Sequence, residues 1–221
     1  QRLEEAGVGD IVIRPLGVEV DTFHPDRRDR DWLLKRLGLG ADARLLCFAG
    51  RPAKEKNVGV LIDAVQKLGD PYHLVLVGAG TGMPPEDRVI ALPYEKDPKA
   101  VARIIASCDA FVHANDKEPF GLIVLEAMAC GRAVVGVNAG GVAETVDESV
   151  GQLAASADPV DYAEAIEALF ARDVEALGAA ARVKAVEQFA WNRVFEDLTM
   201  LYGELTGKAE FVTPREMLPI N

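Results

Sequence analysis

The sequence predicts an α/β chain, a Rossmann-like doubly wound parallel sheet followed by C-terminal helices, and three observations carry that prediction. Short apolar runs recur without polar alternation, which suits strands buried on both faces. Stretches with apolar residues three and four apart separate those runs, so strand and helix alternate. From residue 159 to 205 only helical patterns rich in Ala, Glu and Leu remain.

Along the chain, Ile11-Val12-Ile13-Arg14-Pro15-Leu16-Gly17-Val18 reads as an opening strand and a turn. Residues 21–30 are polar and punctuated by proline, like a linker, and a first helix follows. Residues 1–44 thus form an approach to the sheet proper. Its strands are expected at 45–49, 73–77, 89–92, 110–113 and 133–137. Val60, Leu61, Ala64, Val65 and Leu68 mark one intervening helix, and Ala100, Val101, Ile104 and Ile105 mark another. Two or three helices fill 159–205, interrupted at Phe189-Ala190-Trp191-Asn192. One domain over 1–206 results, with 207–221, which has two prolines and no clear periodicity, set apart as a tail.

Composition narrows the function. With 221 residues, 49% of them hydrophobic, the chain can bury a substantial core. No apolar run approaches the roughly 20 residues that cross a bilayer, and Gln1-Arg2-Leu3-Glu4-Glu5 lacks the basic-then-apolar pattern of a leader, so a cytoplasmic protein is expected. A net charge of −11 repels a phosphate backbone, which argues against a nucleic-acid partner. Cys47, Cys108 and Cys130 lie far apart in or beside apolar stretches and are expected as buried free thiols.

One segment concentrates chemistry. Between Glu118 and Arg132 the only charged residue is Glu126. A helix opening near Gly121 and closing at Gly131 would be apolar almost all round, with Glu126 sharing a face with Leu122, Leu125 and Ala129. A carboxylate there needs a partner. An Arg or Lys from a neighbouring element would serve; so would the vicinal hydroxyls of a ribose. Phe120 and Gly121 place free amides at a helix N-terminus, where phosphate is favoured. A second cluster, Gly50-Arg51-Pro52-Ala53-Lys54-Glu55-Lys56-Asn57, follows the first strand, at the end of a parallel sheet where ligands bind. Lys54 reads as solvated, whereas Arg51 abuts the strand and Lys56 precedes a helix, and both can meet a diphosphate.

Glu118-Pro-Phe-Gly with Glu126 eight positions later, running into Ala-Met-Ala-Cys-Gly, together with Gly50-Arg51 and Glu55-Lys56, resembles the family 4 retaining glycosyltransferases of the GT-B fold. The resemblance spans about residues 11–205 and includes Gly140-Gly141-Val142-Ala143-Glu144. It implies a nucleotide-sugar-binding domain, the C-terminal half of such an enzyme, that moves a hexosyl group from a UDP-sugar or GDP-sugar to an acceptor hydroxyl with retained configuration, no essential metal and no further cofactor. It further implies that Gly50 belongs to the donor site, that Arg51 and Lys56 clamp the diphosphate, that Glu118 contacts the donor sugar, that Glu126 holds the ribose, that Phe120, Gly121 and Leu122 complete the phosphate cradle, and that Leu92-Pro93 flanks the base. Arg51, Lys56 and Glu118 are the catalytic candidates. An N-terminal acceptor-binding domain is implied as the missing partner, and any membrane association would run through it. Leu16-Gly17 stands where the family commonly has Asn-Gly, and Asn57 where a glycine often follows the lysine.

A binding module without turnover, or a GT-B epimerase or hydrolase of nucleotide sugars, would use the same residues. Gly78-Ala79-Gly80-Thr81-Gly82 misses the dinucleotide fingerprint by one position and runs into Pro84-Pro85. Asp29-Arg30-Asp31 mimics a metal-binding Asp-x-Asp, but Asp31 is expected to cap a helix. His24 and His73 read as structural, and Trp32 and Trp191 as packing residues. His113, at a strand's C-terminal end, reads equally as a ligand contact or a packed side chain.

Overall fold

A computed structural model describes residues 2–51, 53–78 and 86–207. Six strands form one parallel sheet: β1 (Arg44–Ala49), β2 (Tyr72–Val77), β3 (Val89–Leu92), β4 (Ala110–His113), β5 (Ala133–Val137) and β6 (Gly151–Ala154). Their order across the sheet is β3-β2-β1-β4-β5-β6, and every neighbouring pair is parallel. This is the doubly wound arrangement, in which the chain moves outward from β1 on one side and from β4 on the other.

Successive residues of a strand point to opposite faces, and β1 shows it directly. Leu45, Cys47 and Ala49 join a core with Val75, Val77, Phe111 and Val134, whereas Leu46 and Phe48 join another with Leu74, Leu76, Val112 and Val135. Helices cover both layers. On the first face lie α2 (Arg30–Leu37), α4 (Pro98–Ser107), α5 (Leu122–Ala129) and α8 (Val174–Phe189); on the second lie α3 (Val58–Leu68) and α7 (Pro159–Phe170). The short helices α1 (Arg2–Glu5) and α6 (Gly140–Thr145) and the C-terminal α9 (Trp191–Thr206) complete the described α-helices, and 3-10 turns lie at Pro25–Arg27 and Lys54–Lys56. Cys47, Cys108 and Cys130 are buried and unbridged on the first face, as expected.

The helices that hold the site are fixed by backbone contacts. A Cβ on Gly178 of α8 would sit 2.2 Å from the Gly131 carbonyl, so these two segments pack backbone to backbone. Arg182, one turn further along α8, donates to the carbonyls of Val20, Phe23 and Ala129, tying the linker to the C-terminal end of α5. Asp109 links the other end of the sheet, accepting from the Leu45 amide at 2.6 Å and from Arg30 at 2.6 Å.

Three expectations change. Residues 11–17 form no strand: Val12 and Ile13 are exposed, and the pairing is a single bridge in which the Val18 amide donates to Phe189 at the break between α8 and α9. A strand needs a ladder partner, and none of the described residues lies alongside. The cap of α2 is Asp29, which accepts from the Trp32 amide, while Asp31 sits in the first turn. Strand β6 was not foreseen, because Gly151-Gln152-Leu153-Ala154 is short and its middle residues are only half-buried at the sheet edge. The helix break at Ala190 and the three C-terminal helices stand as read. Residues 79–82 of the glycine run and 208–221 of the tail lie outside the described residues.

Candidate functional site

The sheet reverses direction of winding between β1 and β4, so the loops leaving these strands diverge and open a crevice at their C-terminal ends. A cleft of about 560 Å³ occupies that position. Gly50, Arg51 and Lys56 line it from the β1 side, and Glu118, Phe120, Gly121 and Leu122 from the β4 side. Sequence-distant residues named from their chemistry thus share one wall-to-wall space.

The β1 loop takes its shape from two backbone choices. Lys54–Lys56 makes a single 3-10 turn, and Asn57 follows at φ 49°, ψ 38° before α3 begins. That left-handed conformation is why glycine suits the position; asparagine is among the few other residues that tolerate it. Here its side chain also donates to the Ala114 carbonyl at 2.9 Å, stapling the β1 loop to the β4 loop. At the other departure Leu16 lines the cleft, and a Cβ on the Gly17 that follows it would meet the Trp191 ring at 2.4 Å.

The β4 loop is seated by the glycine pair that opens α6. The Gly141 amide donates to the Glu118 carbonyl at 2.8 Å. A Cβ on Gly140 or Gly141 would approach the carbonyls of Glu118 or Pro119 to 2.6 or 2.5 Å, which only glycine avoids. The loop then turns through Gly121, at φ 86°, into α5. The amides of Phe120, Gly121 and Leu122 donate to no protein acceptor among the described residues, so the N-terminus of α5 presents unpaired donors to the cleft that Lys56 and Arg51 also line.

Glu118 is the hub. Its Oε2 accepts from Lys56 Nζ at 2.7 Å, Asn115 Nδ2 at 3.0 Å and His113 Nε2 at 3.2 Å. Burial pushes its carboxyl up, but the hydrogen bonds from Lys56 and Asn115 and the Lys56 charge prevail, holding it below its ordinary value. His113 proves to be both packed and polar: fully buried, stacked against Phe48, and bonded to Glu118. Burial holds its imidazole below the ordinary value.

Three expected site residues do not line the cleft. Leu92 is buried in β3 and Pro93 is exposed, whereas Tyr94 and Glu95 form that edge of the cavity. Glu126 lies one turn beyond Leu122 on α5. Burial lifts its carboxyl from 4.5 to about 7, and no cation or hydrogen-bond donor reaches it among the described residues. The Arg or Lys partner that one reading offered is therefore not among them. Sequence reasoning passed over Asn115, Tyr94 and Glu95; Asn115 carried a readable signal, standing three residues before the first glutamate.

His24 caps the turn at Pro25–Arg27, and His73 contacts the Pro71 carbonyl. Trp32 is flanked by the guanidinium groups of Arg103 and Arg36, and Trp191 stacks on Phe195. All four make capping or packing contacts within the fold. No helix among the described residues is long and apolar enough to cross a membrane.

Comparison with known proteins agrees with this architecture. A D-inositol 3-phosphate glycosyltransferase of Xylanimonas cellulosilytica is 32% identical over 225 residues, covering 93% of this chain and 54% of that protein. The chain spans about half the length of the curated relatives it matches. Sucrose-phosphate synthase from Thermosynechococcus elongatus superposes with a TM-score of 0.78 at 25% identity, over 95% of this chain and 58% of that one. Anabaena HepE, solved in complex with UDP and glucose, superposes with a TM-score of 0.71 at 23% identity, over 85% of this chain and 55% of that one. The fold is thus that of the GT-B glycosyltransferases. Residues 43–172, which include both walls of the cleft, match the profile of the family Glycosyl transferases group 1, and the chain belongs to that family.

Proposed function

We propose that this chain forms the donor side of a retaining glycosyltransferase that moves a hexosyl group from a UDP-sugar or GDP-sugar to an acceptor hydroxyl, without an essential metal. The observation that carries the proposal is the convergence of Arg51, Lys56, the free amides at the start of α5 and the Glu118 carboxylate on one cleft at the sheet's switch point. Two cations and a helix N-terminus stand where negative charge would grow on a departing diphosphate, and preorganised charge of this kind favours departure. Glu118 offers a carboxylate to sugar hydroxyls close to those cations. Glu126, whose carboxyl has no partner among the described residues, takes the ribose hydroxyls in this reading. The nucleotide sugar bound by HepE and the transfer reaction named for the Xylanimonas relative support the same class of donor. Acceptor contacts, and any attachment to a membrane, belong in this proposal to a second domain accounting for the rest of the relatives' length.

Calorimetric titration with UDP, GDP and ADP, beside the double variant Arg51→Ala, Lys56→Ala, tests the donor site. One nucleotide should bind, and the variant should lose it. Incubation of full-length protein with donor and acceptor in EDTA tests the reaction: an inverted product, or activity that depends on metal, would overturn the proposal. Free sugar released without acceptor would favour hydrolysis instead.

A further inference from the structure

Glu118 is held asymmetrically. Three donors meet on Oε2, and Oε1 receives none among the described residues. The three are not equivalent. Lys56 comes from the β1 wall and is the cation assigned above to the diphosphate. His113 and Asn115 come from the β4 side and are buried. The His113 ring lies within 6.3 Å of Phe48 at 13° between planes, the Tyr162 hydroxyl donates to its carbonyl, and Asn115 Oδ1 accepts from the Lys117 amide at 3.0 Å. His113 Nδ1 is buried without a partner. A carboxylate only accepts, so the proton sits on Nε2 and the bare lone pair on Nδ1.

We infer that His113 and Asn115 are positioning residues for the donor sugar: they hold Glu118 through Oε2, leave Oε1 for sugar hydroxyls, and keep the carboxylate in place when Lys56 transfers its contact to the diphosphate. This rests on the donor reading above. Neither residue lines the cleft, so in this reading their effect falls on the part of the affinity that the sugar contributes.

The test compares affinities of full-length protein for the nucleoside diphosphate and for the matching nucleotide sugar. His113→Phe keeps a ring against Phe48 and removes the donor; His113→Gln returns an N–H near the Nε2 position. His113→Phe should leave diphosphate affinity within about twofold and lower the sugar-to-diphosphate affinity ratio roughly tenfold, the worth of one hydrogen bond to a charged group. His113→Gln should recover most of that ratio. Asn115→Ala, which leaves the imidazole in place, should lower it too and decides the matter if His113→Phe does not fold. An unchanged ratio in His113→Phe or Asn115→Ala, or a ratio in His113→Gln as low as in His113→Phe, overturns the inference while the donor site stands. Wild-type protein that binds neither ligand overturns both.

Discussion

Replacing Glu126 by glutamine should stabilise the ligand-free protein, and only above a defined pH. The carboxyl is carried on α5 between Leu125 and Ala127, both fully buried, and burial raises it from 4.5 to about 7. Between those values the folded state keeps a proton that the unfolded chain has released. Stability therefore falls as pH rises through that window and levels off above it. At about 1.4 kcal/mol per pH unit the loss reaches about 3 kcal/mol, a sizeable share of the roughly 5–15 kcal/mol that holds a typical domain. Urea denaturation of wild type and Glu126→Gln at pH 4.5, 6 and 8 measures it. The two should coincide near pH 4.5, and the variant should be more stable by about 3 kcal/mol at pH 8. Other titrating groups cancel in the difference. A difference that stays constant with pH would show that Glu126 is solvated or paired, and the argument would fail. The same variant probes the ribose assignment: in wild type, binding of a nucleotide sugar, whose diphosphate diester carries no proton that titrates near neutrality, should release a proton near neutral pH and tighten from pH 6 to 8, and in Glu126→Gln it should do neither.

Substitutions at three further positions test the packing behind the cleft. Gly141→Ala drives a Cβ to 2.5 Å from the Pro119 carbonyl and 2.7 Å from Phe120 Cα, both backbone, so it should cost about 1–3 kcal/mol. It should also weaken nucleotide binding by displacing the Glu118 loop; thermal melting and titration check the pair, and a folded variant with wild-type affinity would count against the seating argument. Asn57→Ala should cost more stability than Asn57→Gly, since both lose the bond to Ala114 but only alanine resists the left-handed backbone, by about 1–2 kcal/mol. Tyr162→Phe strips the hydroxyl that donates to the His113 carbonyl, and should lower stability by about 1–3 kcal/mol in denaturant titration while the fold is retained.

What the sequence determined by itself was local. Runs such as Leu45 to Ala49 and Ala133 to Val137 are apolar at every position because both faces of a parallel strand are covered, so the strands and the α/β class could be read directly. The break at Ala190 was visible because apolar spacing lapses there. Glu118 and Glu126 stood out because charge is scarce between 118 and 132, and Arg51 and Lys56 because they follow a strand. Tertiary structure alone decided what those residues meet. That Lys56 reaches Glu118, 62 positions further along the chain, and that Asn57 reaches Ala114, follows from β1 lying beside β4. Strand order depends on which pairings close the sheet, and no local periodicity carries that. The same holds for the two glutamates, alike in sequence: one is held below its ordinary value by hydrogen bonds from Lys56 and Asn115 and the Lys56 charge, because the β1 wall and the end of β4 stand next to it, and the other is lifted by burial with no donor reaching it among the described residues.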